Sequence, residues 1–308
     1  MTQPLPYRVN ASPDFITQYW PLDQVVIGPT LQHYPTRTVF GIESGQGRFV
    51  VKVYDNAEAL GLVSPSLEEI CQCLYVFDYL AQRKFPYIPA LLKTRSGETF
   101  FQDEEKTTYL LEWLVGDHPL PSLEVYAQLG KIAAQLNTYS DFPYPYPIPV
   151  QGVIAELNQE AEQYSFKHEF LQCVDQLRIL AEQPQALIHA EINPGNAIQT
   201  PTGRIVLLDW DSVGMGPVVL EAGYPLLTCF LTEDLHFHQE WAAAFYGSYT
   251  QGAGMTKAEK ELVFTAALLH ALRYMKFANL NKRWARISYA LAHKDRIISA
   301  IPTIFIDT

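Results

Sequence analysis

Between Ala186 and Asp211 the chain reads ALIHAEINPGNAIQTPTGRIVLLDWD, and four of its side chains carry oxygen ligands at usable spacings. Glu191 offers a carboxylate that can take a proton, Asn196 an amide oxygen five positions later, and Asp209 and Asp211 two further carboxylates. Carboxylate and amide oxygens are the ligands that a hard cation such as magnesium prefers. The apolar run Ala186-Leu187-Ile188 predicts a strand that delivers His189, Ala190 and Glu191 into a loop broken by Pro194 and Gly195. Asn196 then opens a short hairpin that turns at Thr200 to Gly203 and returns through Ile205 to Leu208, ending on Asp209. The oxygen ligands are therefore expected at the ends of adjoining strands.

Phosphoryl transfer in kinases needs such a set: a carboxylate for the proton of the attacking hydroxyl, and an Asn and an Asp to hold metal ions on the phosphates. The step from Glu191 to Asn196 equals that from the catalytic Asp to the Asn of the kinase loop. On these residues the stretch resembles the loop of the aminoglycoside phosphotransferase family, with its choline kinase and homoserine kinase type II relatives. The family pattern is H-G-D-x-x-x-x-N followed by a strand ending in D-x-[DE]. His189, Asn196, Asp209 and Asp211 match it; Ala190 stands where the family has Gly, and Glu191 where it has Asp. The charge is kept, but it reaches one methylene further.

Three other readings compete. His189-Ala190-Glu191 also matches the H-x-E of zinc deaminases, but those need a later P-C-x-x-C and no C-x-x-C occurs. An ordinary turn with capping acids would show the same residues without chemistry. A member of the fold that binds nucleotide and has lost catalysis, acting as a regulator, is the third, and it draws on the Glu191 departure.

Composition narrows the class. At 308 residues, 48% hydrophobic and 18% charged, the chain suits a soluble globular protein of about two lobes. A net charge of −11 argues against general nucleic-acid binding, which needs a basic face. Four cysteines, Cys71, Cys73, Cys173 and Cys229, fit neither a zinc spacing nor a disulfide framework and read as reduced, buried thiols. The amino terminus lacks a basic-then-apolar signal and no apolar run is long enough to span a bilayer, so a cytoplasmic protein without membrane or nucleic-acid partners is expected.

Along the chain, Asn10 to Pro13 signals a first helix before Phe15 and Trp20. Val25 to Ile27 reads as a strand, Gly28 to Arg37 as a loop, and Thr38 to Glu43 as a second strand. A hairpin turn at Ser44 to Gly47 leads into a strand over Arg48 to Tyr54, with Lys52 among apolar neighbours. Ser66 and Glu69 stand at capping-box spacing at the head of a helix running to about Arg83. Strands follow at Ala90 to Thr94, Thr99 to Gln102 and from Thr107 towards Gly116. Beyond Gly116 the pattern is mainly helical: Ser122 to Thr138, Val153 to Tyr164, Phe166 to Glu182, Glu233 to Thr250, Thr256 to Leu280 and Lys282 to Ser299. Asp141 to Pro149 alternates Pro with aromatics, which predicts an ordered loop or flap, and Gly214 to Pro217 reads as a break. His236 and His238 read as solvated, and the basic residues of the last helix, including Arg283 and Arg286, as a solvated face.

The resemblance implies a bilobal protein-kinase-like α+β fold, with a small antiparallel-sheet lobe carrying a helix over residues 1–116 and a larger, mainly helical catalytic lobe over 117–308. It implies ATP and Mg2+ as cofactors and a hydroxyl on a small molecule, such as an amino alcohol, amino sugar or sugar, as acceptor. Glu191 would serve as base or hydroxyl-orienting group, Asn196 and Asp209 as metal ligands, and Asp211 as a ligand for a second ion or a cap. His189 would brace the loop. Lys52 would clamp the phosphates, with Glu69 or a residue near Cys73 as its partner, and adenine would bond to the backbone near Glu112, Trp113 and Leu114. Glu221 is identified with the acid that opens the following helix, where the macrodipole explains an acid equally well. Trp241, Tyr246, Tyr274 and Trp284 could enclose a quaternary ammonium or stack on a sugar, or simply fill core.

Overall fold

A computed structural model describes residues 12–34, 36–55, 65–251, 255–275 and 279–302. Asn10, Ala11, Pro35 and Ser64, on which some of the expectations above fall, lie outside the described residues, as does part of the expected helix reaching Leu280. The chain divides into two compact units, one ending at Val115 and the other running from Gly116.

The first unit is an antiparallel sheet with helices on it. Its elements are α1 (Pro13–Tyr19), β1 (Val26–Tyr34), β2 (Arg37–Ser44), β3 (Gly47–Asp55), α2 (Leu67–Leu74), α3 (Val76–Gln82), β4 (Leu91–Leu92), β5 (Phe101–Gln102) and β6 (Lys106–Glu112). Strand order is β1-β2-β3-β6-β4, with β5 also paired to β6. Ser12 caps α1 through Phe15 N–H at 3.2 Å. Alternation divides β3 between two faces. Val51 and Val53 join Ile16, Trp20, Phe40, Ile42 and Leu110 in one core. Lys52 and Tyr54 point to the other side, where Cys71 of α2 meets Thr107 of β6 (Sγ to Oγ1 3.4 Å) and Phe77 of α3 meets Tyr109.

Two expectations for this unit are corrected. No loop follows Ile27: β1 continues to Tyr34, with register shifts at Ile27/Thr30 and Thr30/Gln32. Pro29 is tolerated because β1 is an edge strand and the irregularity removes the need for a ladder N–H. The helix after Ser66 is two helices, since a tightened turn at Tyr75, whose N–H bonds Gln72 C=O at 3.3 Å, separates α2 from α3.

The second unit holds α4 (Leu123–Leu136), α5 (Val150–Glu160), α6 (Lys167–Gln176), β7 (Gln185–Ile188), β8 (Ala197–Gln199), β9 (Ile205–Leu207), β10 (Gly214–Pro217), α7 (Val218–Thr228), α8 (Gln239–Tyr249), α9 (Lys257–Arg273), α10 (Leu280–Ala292) and α11 (Lys294–Ser299). Helix α4 packs on α8 and α7 on α9. The first contact needs Gly130, because a Cβ there would lie 2.1 Å from Phe245 O. Thr256 and Glu259 form a complete capping box at the head of α9.

The strands of this unit do not form one sheet. β7 pairs antiparallel with β10, and β8 with β9. Gly214 to Pro217, expected to break the chain, is thus a strand. Its glycines admit the Pro-aromatic segment: Tyr146 N–H bonds Met215 C=O, Met215 N–H bonds Tyr144 C=O, both at 2.9 Å, and a Cβ on Gly214 would meet Pro145 O at 2.4 Å. Tyr146 and Ile148 are buried, so that segment is packed structure. Among the described residues, no helix is long and apolar enough to cross a membrane.

Candidate functional site

The loop between β7 and β8 is built by backbone bonds that converge on Leu208. Leu208 N–H donates to Asn196 C=O at 2.8 Å, and Leu208 C=O accepts from His189 Nε2 at 2.8 Å. Because a carbonyl can only accept, His189 carries its proton on Nε2. Its Nδ1 is buried without a partner, and the ring is 2% exposed with its edge towards Trp210. His189 therefore ties the start of the loop to the residue just before Asp209, and Asn196 ties its end to the same residue. Glu191, Asn196 and Asp209 are brought together although β7 does not pair with β8.

Two residues here hold left-handed backbone: Ala190 at φ 59° and Asp209 at φ 64°, ψ 52°. Such conformations cost a non-glycine residue on the order of 1 kcal/mol and concentrate at functional sites. Ala190 occupies the position where the family pattern has Gly, which adopts this φ at no steric cost. Asp209 occupies the N-cap position of the short 3₁₀ turn Trp210–Ser212 without a side-chain capping bond, and Asp211, expected as a ligand or cap, lies within that turn at 5% exposure.

Glu221 at the start of α7 is completely buried. Its Oε2 accepts from His189 N–H at 2.5 Å and Ala190 N–H at 3.0 Å, while Oε1 has no partner. The helix dipole is thus a minor explanation of this acid: it pins the backbone immediately before Glu191. Burial pushes its carboxyl above the ordinary range, against the pull of His189 and of the two N–H donors.

Asn193 organises the turn. Its Oδ1 accepts from Gly195 N–H (2.7 Å) and Asn196 N–H (3.2 Å), and its Nδ2 donates to Glu191 C=O (2.8 Å) and Tyr224 Oη (3.2 Å). The Asn-Pro-Gly run carried this signal, since Asn side chains bond backbone groups two residues on. Asn196 donates its Nδ2 to Glu191 C=O at 3.1 Å, which turns its Oδ1 away from that carbonyl.

Tyr274, just past α9, donates its hydroxyl to Glu191 Oε1 at 2.5 Å. Burial first, and the Glu191 charge next, hold its phenol well above the usual range, so it stays a donor. Arg273 beside it keeps its charge firmly: burial opposes it, but Tyr146, Tyr274, Glu191 and Glu156 outweigh burial. No local pattern announces a contact spanning 83 residues. Of the aromatics expected to enclose an acceptor, the other three are packed elsewhere. Tyr246 is buried with its hydroxyl on Ala222 C=O, Trp241 stacks on His238 at 3.6 Å, and Trp284 on Phe166 at 4.3 Å. His238 is accordingly half-buried and not solvated.

Asn137 ends α4 by donating to Leu187 C=O at 3.0 Å and accepting from Tyr249 at 2.8 Å, which anchors β7. Among the described residues there is no cluster of three or more His, Cys, Asp or Glu able to hold a metal alone. The available set, Asn196, Asp209 and Asp211, fits an ion that keeps waters and shares phosphate oxygens, as magnesium does.

In the first unit, Lys52 is 6% exposed on β3, with Nζ 5.8 Å from the centre of the Tyr109 ring, and not on an open strand face. Glu69 has its carboxylate in the capping box: Oε2 accepts from Ser66 N–H at 2.8 Å and from Ser66 Oγ at 2.9 Å. Cys73, further along α2, is buried. Glu112 N–H bonds Ala90 C=O, and its Oε1 accepts from Ala90 N–H at 2.8 Å. Trp113 N–H bonds Arg48 C=O at 3.3 Å, and its ring lies under the Arg48 guanidinium at 3.9 Å. Leu114 follows, half-buried, beyond the end of β6.

Known structures share this architecture. The chain is similar to the amicoumacin kinase hAmiN in complex with AMP-PNP, Ca2+ and Ami, at a TM-score of 0.66 and 14% identity, covering 96% of this chain and 95% of that one. It is similar to an aminoglycoside phosphotransferase from Alicyclobacillus acidocaldarius at 0.58 and 14%, covering 98% and 96%. A choline kinase from Cryptosporidium parvum matches at 0.58 and 13%, covering 89% and 90%. No curated protein sequence matches the chain. The fold is therefore α+β and protein-kinase-like, with an antiparallel-sheet lobe followed by a mainly helical one. The phosphotransferase enzyme family model matches residues 34–262, and the chain belongs to that family.

Proposed function

We propose that the chain transfers the γ-phosphoryl group of ATP to a hydroxyl of a small molecule with magnesium bound. The observation that carries this reading is the loop geometry. Glu191, Asn196 and Asp209 sit on backbone held by His189, Leu208 and Glu221, with two left-handed residues inside the set. Tyr274 holds Oε1 of Glu191, leaving Oε2 for the acceptor hydroxyl. As the acceptor oxygen bonds to the γ-phosphorus and the bond to the ADP oxygen breaks, the hydroxyl proton passes to Glu191. Asn196 and Asp209 would hold the ion, with Asp211 beside them; bound magnesium would neutralise phosphate charge. Lys52 would hold the phosphates and the backbone near Glu112, Trp113 and Leu114 the adenine, so that residues 1–116 form the nucleotide lobe and 117–308 the catalytic lobe. Its place would be the cytoplasm, where ATP is found.

The test is a thermal shift with magnesium and ATP on the wild type and on Asp209→Asn. Nucleotide at a hundred times its dissociation constant adds about 2.7 kcal/mol of stability. A magnesium-dependent rise that disappears in the variant, followed by ADP release with a hydroxyl acceptor, is expected. No shift at millimolar nucleotide would overturn the reading. Binding without turnover for any acceptor would make the chain a nucleotide-binding regulator, and Glu191→Asp would then be tested for restored transfer.

A further inference from the structure

The sequence pattern assigned Arg283 and Arg286 to a solvated basic face, but both line a cleft. It is narrow, with a cavity volume of about 30 Å³, and partly open to solvent. Leu231 and Ile287 supply apolar wall, Thr228 a hydroxyl, and Tyr274 the ring whose hydroxyl bonds Glu191. One residue thus belongs both to the cleft and to the environment of the proposed catalytic carboxylate.

The electrostatics of this wall are unusual. Arg283 and Arg286 stand three apart on α10, which puts them on the same face as like charges, an unfavourable arrangement. Burial, and then the Arg283 charge, hold the Arg286 guanidinium below its ordinary range. Neither arginine has a carboxylate partner among the described residues. Glu233 bears on Arg286 only at a distance, and the nearby Cys229 thiol, pushed up to about 11 by burial, is neutral at physiological pH. Arg286 has one donor on the Leu227 carbonyl at the end of α7, a C-terminal cap that accounts for that residue in part. Arg283 has no such account, and its Nε is buried with no hydrogen-bond partner. A buried unpaired donor costs about 1–3 kcal/mol, and a guanidinium is a planar fork of donors suited to carboxylate or phosphate oxygens.

We propose that this cleft is the acceptor subsite and that it takes an oxyanion, so that the phosphorylated molecule carries a carboxylate or phosphate as well as its hydroxyl. This rests on the phosphotransferase reading above and narrows it. An amine-bearing acceptor would meet two positive charges at the wall. An acidic one would seat its head on Arg283 and Arg286, lay its carbon chain on Leu231 and Ile287, and present its hydroxyl past Tyr274 to Glu191.

The test needs no known substrate. The intact chain is titrated by calorimetry with inorganic phosphate, with acetate, with ethanolamine, and with chloride at matched ionic strength, in parallel with magnesium-ATP. Phosphate or acetate is expected to bind at least about tenfold more tightly than chloride, and Arg283→Gln to weaken that binding about tenfold, as the loss of charge-assisted hydrogen bonds implies. The tighter probe identifies the head group. Arg286→Lys, which retains charge but loses the fork, is the second variant should Arg283→Gln not fold. Anion binding no tighter than chloride, or equal in both variants, or preferential binding of ethanolamine, would overturn the proposal. Arginine-dependent anion binding without any magnesium-ATP binding would retain the cleft as an oxyanion site and sink the phosphotransferase reading; the reverse result would keep the enzyme and remove the subsite.

Discussion

Glu191 carries one methylene more than the Asp of its family's pattern, and the side chains around it accommodate that length. Tyr274 takes one carboxylate oxygen, and Glu221 holds the preceding backbone by two N–H bonds. Under the proposed roles, replacing Glu191 with Gln would remove the proton acceptor and leave the nucleotide ligands in place. Transfer should fall by roughly 10²–10⁴-fold, the usual range for a positioned base, with the magnesium-ATP thermal shift retained. Glu221 separates brace from chemistry. In Glu221→Ala the His189 and Ala190 N–H groups are left buried and unpaired, at about 1–3 kcal/mol for each unsatisfied group. Glu221→Gln keeps an accepting oxygen and should recover much of that loss. Urea denaturation of the pair, run with transfer assays, checks this, and equal losses in both variants would contradict a bracing role.

At the scale of elements, the two capping boxes were legible because the Ser/Thr-x-x-Glu signal is local, and both form. In the fold the Glu69 carboxylate is on Ser66, as a cap. Glu69→Ala should cost about 1 kcal/mol of stability through the lost cap, and leave magnesium-ATP affinity unchanged. A parallel loss of affinity would instead make Glu69 the partner of Lys52. The misreadings were of pairing. Gly28 to Leu31 looked like loop and Gly214 to Pro217 like a break because Gly and Pro disfavour strands in isolation. In the fold, β1 absorbs them at an irregular edge, and β10 uses its small residues to admit Tyr144 to Tyr146.

At the scale of the whole molecule, stability should depend on acidity through His270. The side chain is buried on α9, donates Nε2–H to Leu220 C=O, and leaves Nδ1 without a partner. Burial first, and then the Arg273 charge, bring it down from 6.5 to about 3. The folded chain thus refuses a proton that the unfolded chain accepts below 6.5. This contribution is complete above that pH and is lost as pH falls towards 3. At about 1.4 kcal/mol per unit it amounts to roughly 2 kcal/mol by pH 5. Glu221, shifted upward by burial, works in the opposite sense in its own acid window, so the comparison of wild type with His270→Gln isolates the histidine. Urea midpoints between pH 7.5 and 5 should decline more steeply for the wild type; parallel curves would contradict the assignment.

The strand–loop–hairpin stretch around Glu191, Asn196 and Asp209, the strand that carries Lys52 and the helix caps could all be read in advance as elements, because each rests on residue types at short, fixed spacings that local backbone geometry turns into structure. Tertiary packing alone decided the rest. Tyr274 reaches Glu191 across 83 residues. Glu221 reaches the loop backbone from the next helix, and β7 finds β10 and not its neighbour in the chain. Whether Arg283 and Arg286 face water or a cleft depends on what α10 packs against, which no periodicity encodes. Composition counts their charge, but only the fold brings the two guanidiniums to the wall that Tyr274 shares.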